Sequence, residues 1–282
     1  MADLSIPLLA TLLLILANSG ALAAGNKIKA ATPSVQKRES TPKDPFLLLQ
    51  KSAAQGVAEA QYTLGWIYSK GEGVPKDAAK SFEWFQKAAA QGHVEAQFFL
   101  GVMYAKGEGI SKDTAKAIES FQQAATQGHA EAQFFLGVIY AYGEGVPKDV
   151  TKAIAWYQKA AAQGHIEAQY NLGWMYSNGE GVIKDAAKTF EWFQKAAAQQ
   201  HAEAQYNLGV MYRNGEGVPK DAVKAIEWLQ KAAAQQHAEA QYNLGLMYRD
   251  GEGVPKDAAK AIEWLKKAAS QGHAKAQFLL NA

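Results

Sequence analysis

The heptapeptide Gly71-Glu-Gly-Val-Pro-Lys-Asp77 recurs unchanged from Gly143, Gly215 and Gly251, with the variants GEGISKD from Gly107 and GEGVIKD from Gly179. Successive copies start 36 residues apart along most of a chain of 282 residues. So strict a period points to an array, not a single-core globule. Each unit is one supersecondary element that cannot bury its apolar face alone, and stability comes from stacking it on its neighbours. Six complete units run from Ala58 to His273, as 58–93, 94–129, 130–165, 166–201, 202–237 and 238–273.

One unit reads as two helices. Ala60, Leu64, Ile67 and Tyr68 recur at helical spacing, and Gly71 stands where a left-handed residue stops a helix, so the first helix, A, is predicted over 59–70. Asp77 reads as the N-cap of the second, B, predicted over 78–91 with Gly92 as its stop. Helix B carries Ala78, Phe82, Phe85 and Ala89 on one stripe, with Ser81, Trp84 and Ala88 beside it. Glu83 precedes Lys87 by four residues, as do Glu191, Glu227 and Glu263 their lysines, which reads as a solvated pair on the outer face. The alanines and Gly65 are expected at close helix contacts. Gln200 and Gln236 replace the glycine found at Gly92, Gly128 and Gly164, so a left-handed backbone kept there would be strained. Residues 45–57 read as a preceding half repeat with only its helix B, and 274–282 as half of a seventh helix A.

The recurring loop invites a binding reading, since glycines before a lysine can cradle phosphate and repeated acidic loops can hold calcium. Asp77 places a carboxylate where a phosphate would sit at the helix N-terminus, so the loop fills its own anion site. It also lacks the Gly-Lys-Ser/Thr ending of a P-loop and the alternating Asp/Asn ligands of an EF-hand. The loop is read as a connector.

Charge and residue usage exclude other chemistry. With 29 basic and 27 acidic residues there is no continuous positive field for a phosphate backbone, and nucleic acid is not expected as a partner. The absence of cysteine removes disulfides, thiolate catalysis, cysteine zinc sites and a lipid-modified N-terminal cysteine. All six histidines, His93, His129, His165, His201, His237 and His273, share one repeat position at a turn where each begins the next helix A. Equivalent positions in stacked pairs lie too far apart to share a tetrahedral ion, since neighbouring helix axes are ~8–10 Å apart. No metal and no cofactor are expected. The glutamates fall at fixed repeat positions in identical surroundings, which does not suit a catalytic acid and base.

Ile6-Pro-Leu-Leu-Ala-Thr-Leu-Leu-Leu-Ile-Leu-Ala17, followed by Ala21-Leu-Ala-Ala24, reads as the apolar core and cleavage site of a secretory signal peptide over 1–24. The chain is expected to be exported, periplasmic or secreted. Asp3 before the apolar run and Lys27, Lys29, Lys37 and Arg38 after it are atypical, and the alternative is an uncleaved anchor making membrane contact. Residues 25–44, with prolines at 33 and 42 and several charges, read as a linker.

Leu64-Gly65-x-x-Tyr68, the Gly-x-Gly-Val loop, Lys76-Asp77, and Trp84 before Lys87-Ala-Ala resemble the Sel-one-like repeat, a relative of the tetratricopeptide repeat. The resemblance covers about 45–282 and recurs six times in register. It implies an all-α, right-handed solenoid of antiparallel helix pairs that acts in protein–protein interaction, with helix A lining a concave groove. On that basis the groove residues are Tyr62, Trp66, Lys70, Phe98, Lys106, Phe134, Tyr142, Tyr170, Trp174, Tyr206, Arg213, Tyr242 and Arg249. They make the groove aromatic along its length, lysine-bearing first and arginine-bearing later. Exposed aromatic and arginine side chains are favoured interface anchors. The opposing reading is that Trp66 and Trp174 only fill gaps in the stack.

Some members of that family carry β-lactamase-type assignments, and Ser34-Val-Gln-Lys37 and Ser40-Thr-Pro-Lys43 match S-x-x-K. Neither is followed by S-D-N or K-T-G, Pro42 disrupts the second, and those relatives are rich in cysteine. The first expectation is therefore a non-enzymatic scaffold holding a protein or peptide. The alternatives are an enzyme, or regulator of one, acting on cell-wall or β-lactam substrates, and a structural assembly factor of a cell-envelope complex.

Overall fold

The computed structural model describes residues 44–281. The signal peptide, both S-x-x-K matches and the linker lie outside the described residues, apart from Asp44, whose Oδ1 caps the first helix by accepting the Phe46 amide at 3.0 Å. The described residues contain fourteen helices and no strand. Helix α1 is Pro45–Ala54, α2 Ala58–Lys70, α3 Ala78–Ala90, α4 Val94–Lys106, α5 Thr114–Thr126, α6 Ala130–Tyr142 and α7 Val150–Ala162. Helices α8 to α14 are Ile166–Asn178, Ala186–Ala198, Ala202–Asn214, Ala222–Ala234, Ala238–Asp250, Ala258–Ser270 and Ala274–Asn281. They fall into two compact units that divide after Ala153, and in each unit successive helices pack on one another.

Local chemistry sets the boundaries. Each complete helix A ends at a glycine with φ between 72° and 77°, a left-handed backbone that only glycine adopts without strain. At the first, the amides of Gly71 and Glu72 both reach Ile67 O, at 2.8 and 3.2 Å, and Asp77 N–H donates to Tyr68 O at 3.0 Å to close the connector. Asp77 Oδ1 then accepts the Lys80 amide at 3.0 Å, satisfying one of the free donors that open helix B. That bond holds the Asp77 carboxyl below its ordinary range.

The second glycine of the connector has a separate reason. Gly109 has φ 76°, and a Cβ on it would collide with the carbonyl of Ala78 at the start of the previous repeat's helix B; Gly217 stands in the same relation to Ala186. The connector is therefore a packing surface between repeats.

Within a pair, Gly65 brings helix A against helix B so closely that a Cβ there would lie 2.6 Å from the Phe85 ring. Ser81 Oγ donates to Gly65 O across the same contact at 2.8 Å. Leu64, Phe85 and Ala88 are buried there, and Leu172, Leu208, Leu229 and Leu244 fill equivalent places in the second unit. Of the outer-face pairs, Glu191–Lys195 and Glu263–Lys267 close at 2.6 and 2.7 Å. Lys87 and Lys231 lie over the rings of Trp84 and Trp228, at 4.2 and 3.9 Å, a cation–π contact three residues apart. Repeat two changes both members together, to Ser120 and Gln123.

Candidate functional site

At the repeat junctions the histidines have a defined structural task. Each is the N-cap of a helix A, and its Nδ1 accepts the amide three residues on at 3.1–3.2 Å. With Nδ1 an acceptor, the neutral ring carries its proton on Nε2. That nitrogen meets a glutamate of the preceding helix A: His93 with Glu59 at 3.1 Å, His129 with Glu95 at 3.2 Å, His201 with Glu167 at 3.1 Å and His237 with Glu203 at 2.8 Å. His273 Nε2 lies 3.0 Å from Glu239 Oε1 without the alignment of a hydrogen bond. These contacts hold Glu95, Glu167 and Glu203 below the usual carboxylate range, the histidine hydrogen bond being the main cause.

The same imidazoles stack on the aromatic series proposed for the groove. Tyr62 lies 4.5 Å from the ring of His93, Phe98 4.5 Å from His129, Tyr170 4.5 Å from His201, Tyr206 4.7 Å from His237 and Tyr242 4.4 Å from His273. Burial at this stack pushes the Tyr62 and Tyr170 phenols up to about 12. Phe98 and Phe134 are only 3% and 2% exposed, so they are core residues and not surface anchors. This corrects the expectation of a groove aromatic along its length: a ring one turn into helix A is covered by the neighbouring repeat's cap, and the half-buried tyrosines belong to that junction. The position one turn further on behaves likewise in repeats two and three, where Val102 and Val138 are buried.

A second ladder satisfies the buried amides. Gln61 Nε2 donates to Ala53 O at 3.0 Å, and its Oε1 accepts from Gln91 Nε2 at 2.7 Å; Gln97 with Ala89 and Gln127, and Gln205 with Ala197 and Gln235, repeat the pattern. Sequence reasoning missed both ladders. Their signal was present as a glutamate 34 residues before each histidine and a glutamine 30 residues after each buried one.

The remaining candidate residues separate by environment. In the first unit Lys70, Lys106 and Tyr142 are exposed, Tyr142 by 63%. Lys70 Nζ sits 4.6 Å over the half-buried Trp66 ring, which meets Phe99 edge-on at 5.4 Å. In the second unit Trp174 is 45% exposed, beside exposed Ser177 and Asn178 on the same helix. Arg213 is committed internally: Nε and a terminal nitrogen reach Glu252 Oε2 at 2.9 and 2.8 Å, and Nη1 donates to Asn243 Oδ1 at 3.1 Å. Arg249 pairs with its neighbour Asp250 through two bonds of 2.7 and 3.0 Å. The arginine-bearing end is therefore neutralised from within.

Among the described residues, no group of three or more His, Asp or Glu side chains is placed to hold a metal ion, and no helix is long and apolar enough to cross a membrane. Glycine-stopped, aspartate-capped helix pairs, joined by His–Glu and Gln–Gln ladders, define an all-α solenoid whose polar groups serve its own junctions. The chain belongs to the Sel1 repeat family, whose model matches residues 58–93, 94–129, 130–165, 166–201, 202–237 and 238–273. Members of this family are typically protein-interaction scaffolds and generally non-enzymatic.

Solved structures similar to this chain include two that cover most of it. One is c5321, described as a protective antigen present in uropathogenic Escherichia coli strains and displaying an SLR fold, at 38% identity and a TM-score of 0.81 over 82% of this chain and 50% of that one. The other is a Sel1 repeat protein from Oxalobacter formigenes, at 36% identity and a TM-score of 0.69 over 80% of this chain and 92% of that one. The chain thus spans about half the length of the E. coli protein. No curated protein matches it.

Proposed function

We propose that the chain is an exported, non-enzymatic scaffold that holds an extended segment of another protein along the groove that helix A is expected to line. The observation that carries this reading is Trp174. It interrupts a register that is buried valine in repeats two and three, yet leaves nearly half its surface in water. A large aromatic side chain held exposed on a rigid helix is the residue type that supplies most interface energy when a partner covers it. In the second unit it shares its register with half-buried Val210 and Leu246. In the first unit the Lys70–Trp66 pair, Lys106 and Tyr142 form a separate set of anchors. Export is supported by the apolar run 6–17 and Ala21-Leu-Ala23; intact mass of protein recovered from the envelope should begin near Ala24 or Gly25.

The test is selection of peptides from a displayed library on the immobilised chain, followed by measurement of the selected peptides on Trp174→Ala and Trp66→Ala. Loss of an anchor worth ~2 kcal/mol weakens binding by roughly thirtyfold. Trp174→Ala should do so with its melting temperature nearly unchanged. A large drop in melting temperature with peptide affinity preserved would place Trp174 in the stack and defeat the reading.

A further inference from the structure

The chain has seven tryptophans, and six of them carry a cation from their own helix. Lys70 lies over Trp66, with Nζ 4.6 Å from the ring centre. Lys87, Lys159, Lys195, Lys231 and Lys267 lie over Trp84, Trp156, Trp192, Trp228 and Trp264 at 3.9–4.2 Å. Trp174 is the exception. Among the described residues neither a cation nor a second ring lies against it, and it is 45% exposed.

Trp66 and Trp174 share one register, so the difference can be traced to particular residues. Trp66 is covered by Lys70, four residues on, and by the edge-on contact with Phe99 of the next helix A. In the fourth repeat both covers are asparagine: Asn178 stands in the register of Lys70, and Asn207 in that of Phe99. Asn178 turns onto its own helix, donating Nδ2 to Trp174 O at 3.0 Å, and Asn207 bonds with the Tyr170 hydroxyl. Neither supplies a charge or a ring. The helices A of the second unit hold no free cation that could take the place. Helix α8 has no lysine or arginine, and Arg213 of α10 and Arg249 of α12 are committed to Glu252, Asn243 and Asp250. Glu167 stands seven residues before Trp174, two turns back on the same face and ~10 Å along the axis, so the nearest formal charge on that helix is negative.

We propose that Trp174 is the open half of a cation–π pair, and that the extended segment held by the second unit places a lysine or arginine side chain over its ring as Lys70 lies over Trp66. The proposal rests on the reading of Trp174 as a partner anchor and names the chemistry of what it anchors. The face of an indole ring is its negative side, and the attraction for a cation grows as the bound segment excludes water. Arginine suits the place best, because its planar guanidinium can stack on the ring while its donors stay free for neighbouring carbonyls. An acidic segment would meet the ring face and Glu167 with the wrong sign.

The experiment uses two probes, an acetylated and amidated peptide of four Thr-Arg-Ser triads and its twin with citrulline in place of arginine, which keeps the shape and removes the charge. Binding is read from the indole N–H signals of the chain by heteronuclear NMR, with the Trp174 signal assigned by its loss in Trp174→Phe. The arginine peptide should move that signal saturably and bind roughly tenfold more tightly than the citrulline peptide. Asn178→Lys places a lysine over the ring from within, an arrangement the fold already accepts at Trp66, so its melting temperature should hold while the arginine peptide falls to the citrulline level. Asn214→Lys adds the same charge in the same register beside Val210 and should keep most of the preference. Equal binding of the two peptides overturns the inference, and so does a preference that survives Asn178→Lys or is lost equally in Asn214→Lys. No movement of the Trp174 signal with either peptide up to millimolar concentration also overturns it. The groove reading fails separately, when peptides selected from the library bind Trp174→Ala as well as the parent.

Discussion

Replacing Gln200 and Gln236 by glycine should stabilise the fold, against the usual effect of adding glycine to a chain. These are the two residues other than glycine with positive φ among those described, at 69° and 64°. A left-handed backbone costs a residue with a Cβ roughly 1–2 kcal/mol. Glycine loses about 0.4–1 kcal/mol of that advantage through the greater freedom of its unfolded chain. The net gain is therefore about 0.5–1 kcal/mol per site. The native bonds survive the change: Gln200 gives its carbonyl, not its side chain, to Gln235 Nε2 at 3.0 Å, as Gly164 gives its own to Gln199 at 2.9 Å. The strain removed is each residue's own backbone torsion, so the gains sum to about 1–2 kcal/mol for the double variant; because Gln200 O meets Gln235, the neighbour of Gln236, a departure from that sum would measure the coupling between the two junctions. At roughly 2–4 °C per kcal/mol for a chain of this size, the midpoint of thermal melting followed by circular dichroism should rise by about 2–8 °C. Gly92→Gln is the mirror experiment, because Gly92 has φ 84° and nothing within 4 Å of an added Cβ, which isolates the backbone cost. It should lower the melting temperature by a comparable amount. A destabilised Gln200→Gly, or a neutral Gly92→Gln, would refute the strain argument.

Gly209→Ala should cost about 1–3 kcal/mol in denaturant unfolding, because its Cβ would lie 2.7 Å from Leu229 Cγ in a filled contact; combined with Leu229→Ala, itself a loss of about 2–5 kcal/mol at a fully buried site, it should cost less than the two losses summed. His201→Ala should cost about 1 kcal/mol or more by leaving the Ala204 amide uncapped, while His201→Asn restores the cap but neither the Tyr170 stack nor the Glu167 contact, so melting of the pair separates the cap from the other two contributions together. Acid should loosen the junctions with a defined sign. The depressed carboxyls of Glu95, Glu167 and Glu203 contribute stability that is fully present above the unfolded carboxylate value of about 4.3 and is lost as pH falls through their lower folded values. Replacing the three by glutamine should flatten the fall of melting temperature below about pH 5; an unchanged slope would mean that these contacts do not differ between the folded and unfolded chain.

Helix positions were legible because the residues that end helices act locally. Gly71 and Asp77 state their backbone conformation and hydrogen bond without help from distant groups, so the helices predicted over 59–70 and 78–91 differ by one residue from those found. Exposure was not legible in the same way. Phe98 and Tyr62 occupy one register, but whether the ring faces water depends on what the next repeat lays over it, and His129 and His93 do so. Arg213 failed for a related reason: Glu252 lies 39 residues beyond it, outside the span of one unit, and takes up the charge that was expected to meet a partner. Arg249 is different, since its partner Asp250 stands next to it in the sequence. Trp174 remained legible because the change from valine to tryptophan adds more surface than its neighbours cover.

The glutamine ladder bears on how such a chain can change length. Gln97 spends its amide on a carbonyl eight residues back and its oxygen on a glutamine 30 residues ahead, and Gln205 and Gln241 do the same at their own places. Each buried amide thus draws its partners from within one period in either direction. Deleting or duplicating a whole 36-residue block by unequal crossing-over would hand each amide a chemically identical partner, with no buried polar atom orphaned at the seam. A block whose length is not a multiple of 36 would orphan at least one. Recombination between near-identical gene segments is filtered by this bonding pattern, and the viable products keep the stack while changing its reach and the set of exposed side chains, such as Trp174 or Tyr142, that it carries.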